Sequence, residues 1–388
     1  MGKHVIFLGA GASKASGYPL ASELRLLLSS ERHFLDWVTK WFPPYVVDQA
    51  KEYFKSFAPA ITLFREGGFA SVDEFCRLVS GGQNSNAVGH MRLMTRAVLG
   101  AANPEDKFQE SEYYAFVQKL FKPDLANLRD DVSILSFNYD PYLEFLIYRA
   151  WTARNENKLP YTDVGNSITS GFLGRDDYTW AESEKPRLYL LKLHGSICEF
   201  IGKEPWLRTY SFYTQSAVAR AKAIFDLKNT HVPPIIFPWE LLDENLNFIK
   251  KQDFPIQNDQ YDYDLFTHIW QRARKEVQDA EKISFVGLSL HEYMKLGFRY
   301  LFQGKKREVQ CVVANKLNKH FQQDRAEVRP HPNSPCQRAG ALIEEVTQGR
   351  TLCRYSVQDI GHASFAPENR QQCVTSRESF GDFIEHEL

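Results

Sequence analysis

The chain has 388 residues, of which 43% are hydrophobic and 24% are charged, and its net charge at pH 7 is -1. This composition is typical of a globular protein, and it lacks the basic excess expected of a protein that binds nucleic acid directly. No run of about 18 apolar residues is present, so we predict no membrane span. Because the N-terminus lacks the charged and apolar regions of a signal peptide, we expect a cytoplasmic protein.

The six cysteines are scattered along the sequence, and no Cys-x-x-Cys pair occurs. Structural zinc sites are usually built from closely spaced pairs of cysteine or histidine, so we expect no metal site. Disulfide frameworks belong mainly to small secreted domains. We therefore expect most of these cysteines to be small buried hydrophobic residues.

The N-terminal segment predicts a buried strand, residues 5–8, that leads into a glycine-rich turn. Backbone N–H groups at such a strand–helix turn, together with the helix dipole, favour a pyrophosphate. Lys14 occupies the position of the third glycine in the dinucleotide fingerprint, so an ordinary dehydrogenase is disfavoured. A turn without a ligand remains the alternative. The predicted phosphate-binding residues are Gly9, Ala10, Gly11, Ala12 and Ser13.

After the turn, the sequence Gly17-Tyr18-Pro19 interrupts the helical pattern, because proline disfavours helical geometry at the residue before it. We predict that this break forms a mobile flap over the bound ligand, with Pro19 among the contacting residues. A stripe of leucines at helical spacing follows, which predicts a helix over residues 20–28.

Short apolar runs that predict strands recur at residues 132–137, 188–193, 234–237, 283–286, 309–313 and 352–355. Several of them lack clear alternation, as expected for parallel strands that are covered on both faces. The segments between them are long enough for helical crossovers. We therefore predict an α/β fold with a doubly wound, mainly parallel, Rossmann-like sheet.

Two long segments interrupt this pattern. Residues 31–130 carry apolar and aromatic side chains at helical spacing, such as Phe34, Trp37 and Tyr53, and predict a helical insertion beside the sheet. Residues 151–187 are rich in Gly, Asp, Ser and Thr, and predict a loop-rich insertion that covers the site.

Polar residues follow two of the predicted strands. Asn138 and Asp140 come after residues 132–137, and ligands of open α/β sheets bind beyond the carboxyl ends of strands. The alternative for Asp140 is that it caps the helix that begins near Pro141. His194 follows residues 188–193, and its ordinary pKa of about 6.5 suits a general base. A purely structural role is the alternative for this histidine.

Taken in order, the glycine turn with Gly17-Tyr18-Pro19, then Phe137-Asn138-Tyr139-Asp140, then Leu193-His194-Gly195-Ser196, resemble the sirtuin superfamily. Further on, Val286-Gly287-Leu288-Ser289-Leu290 resembles the sirtuin Gly-Thr-Ser-Leu segment, and Ala314-Asn315 resembles a later strand end that bears an Asn. The resemblance covers residues 4–316 as short islands. It implies that Gly287, Ser289 and Asn315 lie near the adenosine half of NAD.

The chain departs from sirtuin deacylases in ways that narrow the resemblance. The four-cysteine zinc module is absent, and the Gln of the Gln-Asn-Ile-Asp motif is replaced by Phe137. The sequence is therefore similar to bacterial sirtuin-like NAD hydrolases of antiphage defence. In those proteins the residues that match Asn138 and His194 form the catalytic pair, and helical insertions replace the zinc module.

The resemblance implies that residues 1–388 form one NAD-binding catalytic domain. It implies an NAD glycohydrolase that cleaves the nicotinamide–ribose bond and depletes NAD as an antiviral effector. NAD would be the substrate, with its pyrophosphate on the glycine turn and its carboxamide near Asp140. The family often works in larger assemblies, so we expect a homo-oligomer or a separate partner such as a translocase ATPase.

Three alternatives stay open. The first is a non-catalytic sensor that binds NAD or ADP-ribose, and the second is an NAD-dependent protein deacylase, which the missing zinc module disfavours. A nuclease is the weakest alternative, because carboxylates such as Asp73 and Asp264 show no metal-binding spacing and are expected on helix surfaces.

Overall fold

The computed structural model describes residues 3–80, 85–104, 111–121, 128–154, 168–170, 188–197, 213–227, 232–253, 260–288, 294–305, 309–314, 353–354 and 374–377. The strands are β1 (Lys3–Leu8), β2 (Val132–Ser136), β3 (Ile168–Ser170), β4 (Leu188–Lys192), β5 (Ala280–Val286), β6 (Val309–Ala314), β7 (Cys353–Arg354) and β8 (Val374–Arg377). They form one sheet of eight strands in the order β3-β4-β2-β1-β5-β6-β7, with β8 also paired to β6. Every pairing between the described strands is parallel.

The described helices connect the strands or lie between them. Those between β1 and β2 are α1 (Ala10–Ser13), α2 (Ala21–Ser29), α3 (Glu31–Val38), α4 (Val47–Ser56), α5 (Ala58–Glu66), α6 (Val72–Val79), α7 (Ser85–Ala101) and α8 (Glu112–Lys119). The later ones are α9 (Tyr142–Arg154), α10 (Ala217–Phe225), α11 (Pro238–Leu241), α12 (Gln260–Asp279) and α13 (Lys295–Phe302). Short 3-10 helices occur at Lys14–Ser16, Pro44–Val46 and Lys251–Asp253.

The central strands are buried on both faces, which explains their continuous apolar sequences. On β1, Ile6 and Leu8 point into one hydrophobic core, and Val5 and Phe7 point into another. The first core is filled mainly by helices α2–α10, and the second by α12 and α13. Helices therefore cover both faces of a parallel sheet, and the predicted doubly wound α/β fold is confirmed.

Side-chain caps fix the start of several helices in the segment between β1 and β2. The hydroxyl of Ser71 accepts a hydrogen bond from the N–H of Glu74 at 3.1 Å, and Ser111 does the same for Tyr114 at 3.1 Å. Such caps satisfy backbone donors that the helix itself leaves unpaired. The described part of residues 31–130 consists mostly of helices α3–α8, and an antiparallel bridge joins Phe121 to Leu128.

A buried ion pair joins this segment to the rest of the protein. Arg92 on α7 donates to the carboxylate of Glu240 on α11, and both side chains are almost fully buried. The other oxygen of Glu240 accepts from the N–H of Phe237 at 3.0 Å, at the start of α11. Since both charges lie out of water, each depends on its partner.

Lys305 supports the other face of the sheet. Its ammonium donates to the carbonyls of Val277, Gln278 and Ala280 at 2.8, 3.1 and 2.9 Å. These carbonyls lie at or just beyond the C-terminal end of α12, where a positive charge also interacts favourably with the helix dipole.

The strand that was predicted at residues 234–237 does not form. Only Ile235 takes part in pairing, through a single antiparallel bridge with Gly195. Pro233 and Pro234 lack the N–H groups that a longer ladder needs. Gly195 has a φ of 79°, and a Cβ there would lie 1.7 Å from the carbonyl oxygen of Pro234.

Two strands were missed by the sequence prediction. Strand β3 lies within residues 151–187, and residues 151–154 belong to α9. Its remaining residues lie outside the described part of the chain, as does their predicted position over the site. Strand β8 pairs with β6 although its sequence gave no apolar run.

The helical pattern does break at Gly17, where φ is 91°, and α2 begins at Ala21. The flap predicted here stays a prediction, and in this structure the segment is packed against its neighbours. Tyr18 is buried, its hydroxyl is 2.6 Å from the hydroxyl of Tyr213, and Pro19 is also buried. Aromatic packing therefore anchors the break in the core. Among the helices described, none has the length and apolar character needed to cross a bilayer.

Candidate functional site

Apart from Pro19, the predicted site residues that the structure describes lie at one edge of the sheet. Strands β4, β2, β1 and β5 are neighbours and parallel, so their carboxyl ends meet at the same edge. His194 follows β4, Asn138 and Asp140 follow β2, the glycine turn follows β1, and Gly287 follows β5. After β1 the chain turns to helices on one face, and after β5 to α13 on the other. The edge between β1 and β5 is therefore the switch point where such folds bind ligands.

At this switch point, the glycine turn packs directly against the backbone after β5. The N–H of Gly9 donates to the carbonyl of Val286 at 3.0 Å, and that of Gly11 donates to Gly287 at 2.8 Å. The N–H of Ala12 donates to the carbonyl of Gly9 at 2.9 Å. Three donors that were expected to face a pyrophosphate are therefore bonded within the protein.

The glycines at this contact are explained by the close approach of two backbones. A Cβ on Gly9 would lie 2.7 Å from the carbonyl oxygen of Gly287. Gly287 has a φ of 60°, and a Cβ on it would lie 2.1 Å from the nitrogen of Ala12. The sequence predicted that a ligand would make this approach, whereas the structure shows another loop there.

Ser13, Asn138 and Asp140 form a buried chain of hydrogen bonds. Asn138 Nδ2 donates to Ser13 Oγ at 2.8 Å, and Ser13 Oγ donates to Asp140 Oδ2 at 3.2 Å. The hydroxyl of Tyr113 on α8 lies 3.4 Å from Asn138 Nδ2 and 3.5 Å from Ser13 Oγ. Three of the predicted site residues are thus brought together, and a tyrosine from the segment between β1 and β2 joins them.

Asp140 is fixed from several sides. Its Oδ1 accepts from the N–H of Tyr142 at 3.3 Å, so it satisfies a donor of the first turn of α9, and the capping alternative describes part of its role. Its backbone carbonyl accepts from the ammonium of Lys192, which also lies 3.4 Å from Glu144. Burial raises the pKa of Asp140, although Lys192 and the hydrogen bonds from Tyr142 and Ser13 oppose that rise.

The side-chain amide of Asn138 uses its nitrogen, but not its oxygen, in the hydrogen bonds of the described residues. Its Oδ1 is buried and has no hydrogen-bond partner within the described part of the protein. Buried acceptors are nearly always paired, because desolvation without a partner costs about 1–3 kcal/mol. An unpaired amide oxygen at the carboxyl edge of a parallel sheet is suited to accept a hydrogen bond from a ligand.

His194 is enclosed by aromatic rings. Phe137 meets its imidazole edge to face at 4.8 Å, Tyr139 stacks on it at 5.9 Å, and Phe237 lies at 5.8 Å. Its Nε2 is buried and has no hydrogen-bond partner among the residues that are described. Burial lowers the pKa of His194 from 6.5 to about 3, so the imidazole is neutral at physiological pH.

The side chains of the two residues predicted as a catalytic pair contact different residues. Phe137 and Tyr139, the chain neighbours of Asn138, contact the ring of His194. The side chain of Asn138 bonds instead to Ser13 and Tyr113. No hydrogen bond joins Asn138 to His194 in the structure as described. Each nevertheless carries one buried polar atom that has no hydrogen-bond partner among the described residues.

Several other predictions concern residues outside the described ranges or away from these contacts. Ser289 and Asn315, predicted near the adenosine, lie outside the described residues. Pro19 is buried, and Ala10 is half-buried at the start of α1. Within the described ranges, no group of three or more His, Cys, Asp or Glu side chains is arranged to hold a metal ion.

Three residues near the site were missed by sequence reasoning. Tyr113 and Asp73 come from helices that were recognised only by their apolar spacing, and Lys192 ends the apolar strand β4. Asp73, which was expected on a helix surface, accepts a hydrogen bond from Tyr139 at 2.5 Å. Asp264 does pair at the surface, with Lys251 at 2.6 Å. For Lys192 a signal was available in the sequence. A lysine inside an otherwise apolar run indicates a buried ammonium, which needs partners nearby.

No protein-family model matches this sequence, and a comparison with curated proteins finds no significant match. What is established of the protein is therefore its α/β doubly wound fold and the cluster of polar residues at the carboxyl edge of the sheet.

Proposed function

We propose that the protein is an NAD glycohydrolase that cleaves the nicotinamide–ribose bond to give nicotinamide and ADP-ribose. The observation that carries the proposal is a pair of buried polar atoms, Asn138 Oδ1 and His194 Nε2, at the carboxyl edge of a doubly wound sheet, for which the described residues supply no hydrogen-bond partner. Each atom can accept a hydrogen bond, and a ribose hydroxyl or a water molecule supplies the matching donor. The resemblance to sirtuin-like NAD hydrolases supports the same assignment.

Cleavage of the nicotinamide–ribose bond depends more on positioning of the ribose and the attacking water than on acid catalysis. Nicotinamide leaves as a neutral molecule from a positively charged ring, so the leaving group needs no proton. The protein must hold the ribose, stabilise an oxocarbenium-like centre and direct a water to the anomeric carbon. In our proposal Asn138 Oδ1 holds the ribose or the water, while Ser13 and Tyr113 fix the amide.

His194 completes the proposed reaction as the proton acceptor. Water adds to the anomeric carbon, the bond to nicotinamide breaks, and the proton of the water passes to Nε2 and then to solvent. A neutral imidazole is the form that accepts a proton, and the low pKa of His194 keeps it neutral. Substrate binding has to bring water to a nitrogen that is buried in the free protein.

The test is release of nicotinamide and ADP-ribose from NAD, measured by liquid chromatography with mass spectrometry. We expect Asn138→Ala and His194→Ala each to lower the rate by about 10²–10⁴-fold. His33→Ala, an exposed histidine on α3, is the matched control and is expected to keep the wild-type rate. Wild-type turnover in His194→Ala would refute its role as the base.

A non-catalytic sensor of NAD or ADP-ribose is the second candidate, and one observation favours it. A general base works best when its pKa lies near the operating pH, whereas aromatic enclosure lowers that of His194 to about 3. Binding of NAD in calorimetry, with no nicotinamide released over hours, would favour the sensor over the enzyme.

The biological part of the proposal is that the protein depletes NAD as an antiviral effector in a bacterial cell. The resemblance further supports a homo-oligomer, or activation by a separate partner such as a translocase ATPase. Light scattering coupled to size-exclusion chromatography tests self-assembly, and a purely monomeric profile would count against it. NAD levels in infected cells that express wild type or Asn138→Ala test the effector role.

A further inference from the structure

Tyr139 connects the candidate site to α6, a helix of the long segment between β1 and β2. Its hydroxyl donates to Asp73 Oδ1 at 2.5 Å, and its ring stacks on His194 at a centroid distance of 5.9 Å and an interplanar angle of 23°. Its carbonyl accepts from the N–H of Ile197 at 2.9 Å and from Ser196 Oγ at 3.3 Å. The residue therefore contacts both sides of the turn that follows His194.

The other end of this connection is firmly held. Asp73 lies in the first turn of α6, two residues after the capping residue Ser71, and neighbouring Phe75 and Cys76 are fully buried. Burial raises the pKa of Asp73 to about 6; the nearby Glu240 adds to the rise and the Tyr139 hydrogen bond opposes it. At neutral pH the carboxylate is the major form, and a phenol donates strongly to a carboxylate.

We propose that Asp73 is a positioning residue of the candidate site, because its carboxylate fixes the Tyr139 phenol and the Tyr139 ring in turn fixes the imidazole of His194. The proposal deepens the proposed NAD glycohydrolase function and rests on it for its catalytic consequence. The positioning itself is a property of the protein without substrate.

The physical reason is that no described residue forms a hydrogen bond with His194 Nε2 that would set the orientation of the ring. Aromatic rings pack around the imidazole. Among the rings that the structure describes, Tyr139 stacks nearly parallel to it, whereas Phe137 and Phe237 meet it at 85° and 72°. Tyr139 is only half-buried, so its hydroxyl anchor limits the positions that its ring can adopt. Displacement of a catalytic group by about 1 Å can lower a rate 10²-fold.

The experiment compares Asp73→Ala, Asp73→Asn, Tyr139→Phe and the double variant Asp73→Ala/Tyr139→Phe, with Glu74→Gln as a control on the same helix. The first readout is the His194 imidazole resonance in protein labelled with ¹³C-histidine, assigned with His194→Gln. The second is kcat and KM for nicotinamide release. Circular dichroism and thermal melting report whether each variant folds, and Asp73→Asn and Tyr139→Phe are the mildest changes.

We expect Asp73→Ala and Tyr139→Phe to shift the His194 resonance by similar amounts and to lower kcat about 10- to 100-fold with little change in KM. The double variant is expected to match either single one, because both remove the same hydrogen bond. Asp73→Asn keeps an acceptor oxygen and is expected to recover most of the activity. Glu74→Gln is expected to change neither readout.

An unmoved His194 resonance in Asp73→Ala and Tyr139→Phe would overturn the positioning role whatever the activity is. A shifted resonance with unchanged kcat would overturn the catalytic consequence of this positioning. If wild type releases no nicotinamide while the resonance shifts as expected, the proposed function fails and the positioning of the ring by Asp73 is upheld.

Discussion

Acid should destabilise the protein through His194, by an amount that follows from its burial. Its pKa falls from 6.5 to about 3 in the folded state. Between these two values the unfolded chain binds the proton and the folded chain does not, so the free energy of unfolding decreases as the pH falls below about 6.5. Because pH 5 lies about 1.5 units below the pKa of histidine in the unfolded chain, His194 lowers the free energy of unfolding by about 2 kcal/mol between pH 7.5 and pH 5.

The assay is urea unfolding of wild type and His194→Gln at pH 7.5 and pH 5. Other groups also titrate over this range, so the informative quantity is the difference between the two proteins. We expect the variant to lose about 2 kcal/mol less than wild type on acidification, because glutamine does not titrate. His33→Gln, a change in an exposed side chain, is expected to lose as much as wild type does. Equal losses in wild type and His194→Gln would refute the reasoning.

Three further predictions concern stability, each measured by urea unfolding at pH 7.5. Gly287→Ala should lower the free energy of unfolding by more than about 3 kcal/mol, because the new Cβ would meet the nitrogen of Ala12. Gly68→Ala is the control: its φ is 69° and the space around it is open, so it should lower the free energy of unfolding by only about 1–2 kcal/mol. Lys305→Met should cost about 2–4 kcal/mol by leaving three carbonyls unpaired, and a loss below 1 kcal/mol would contradict that role. Arg92→Met should cost about 3–5 kcal/mol, and adding Glu240→Leu should recover part of it; full additivity would contradict the pairing.

The fold was largely predictable because buried parallel strands need continuous apolar sequence. The predicted strands at residues 5–8, 132–137, 188–193 and 283–286 all correspond to strands of the sheet within a few residues. The failures have local causes. Prolines reduce residues 234–237 to a single bridge, and β3 is a three-residue edge strand, too short to show a pattern.

The site was predictable only as far as position in the fold determines it. Polar residues directly after strands, such as Asn138 and His194, are placed at the ligand-binding edge by topology. Tyr113 and Asp73 are separated from their partners by 25 and 66 residues. Helical spacing identifies the buried face of their helices, but which hydroxyl or carboxylate meets the strand ends depends on tertiary packing. The loop contact at Gly287 was missed for the same reason.

The ion pair between Arg92 and Glu240 limits how this protein can be rearranged, in evolution or by design. A chimera that exchanges residues 31–130 for another helical segment would leave the Glu240 carboxylate buried without its guanidinium. It would also replace helices α3–α8, which supply much of the core on the sheet face that bears Ile6 and Leu8. The helical segment is therefore no interchangeable module, and any successful swap has to carry compatible partners on both sides of the junction.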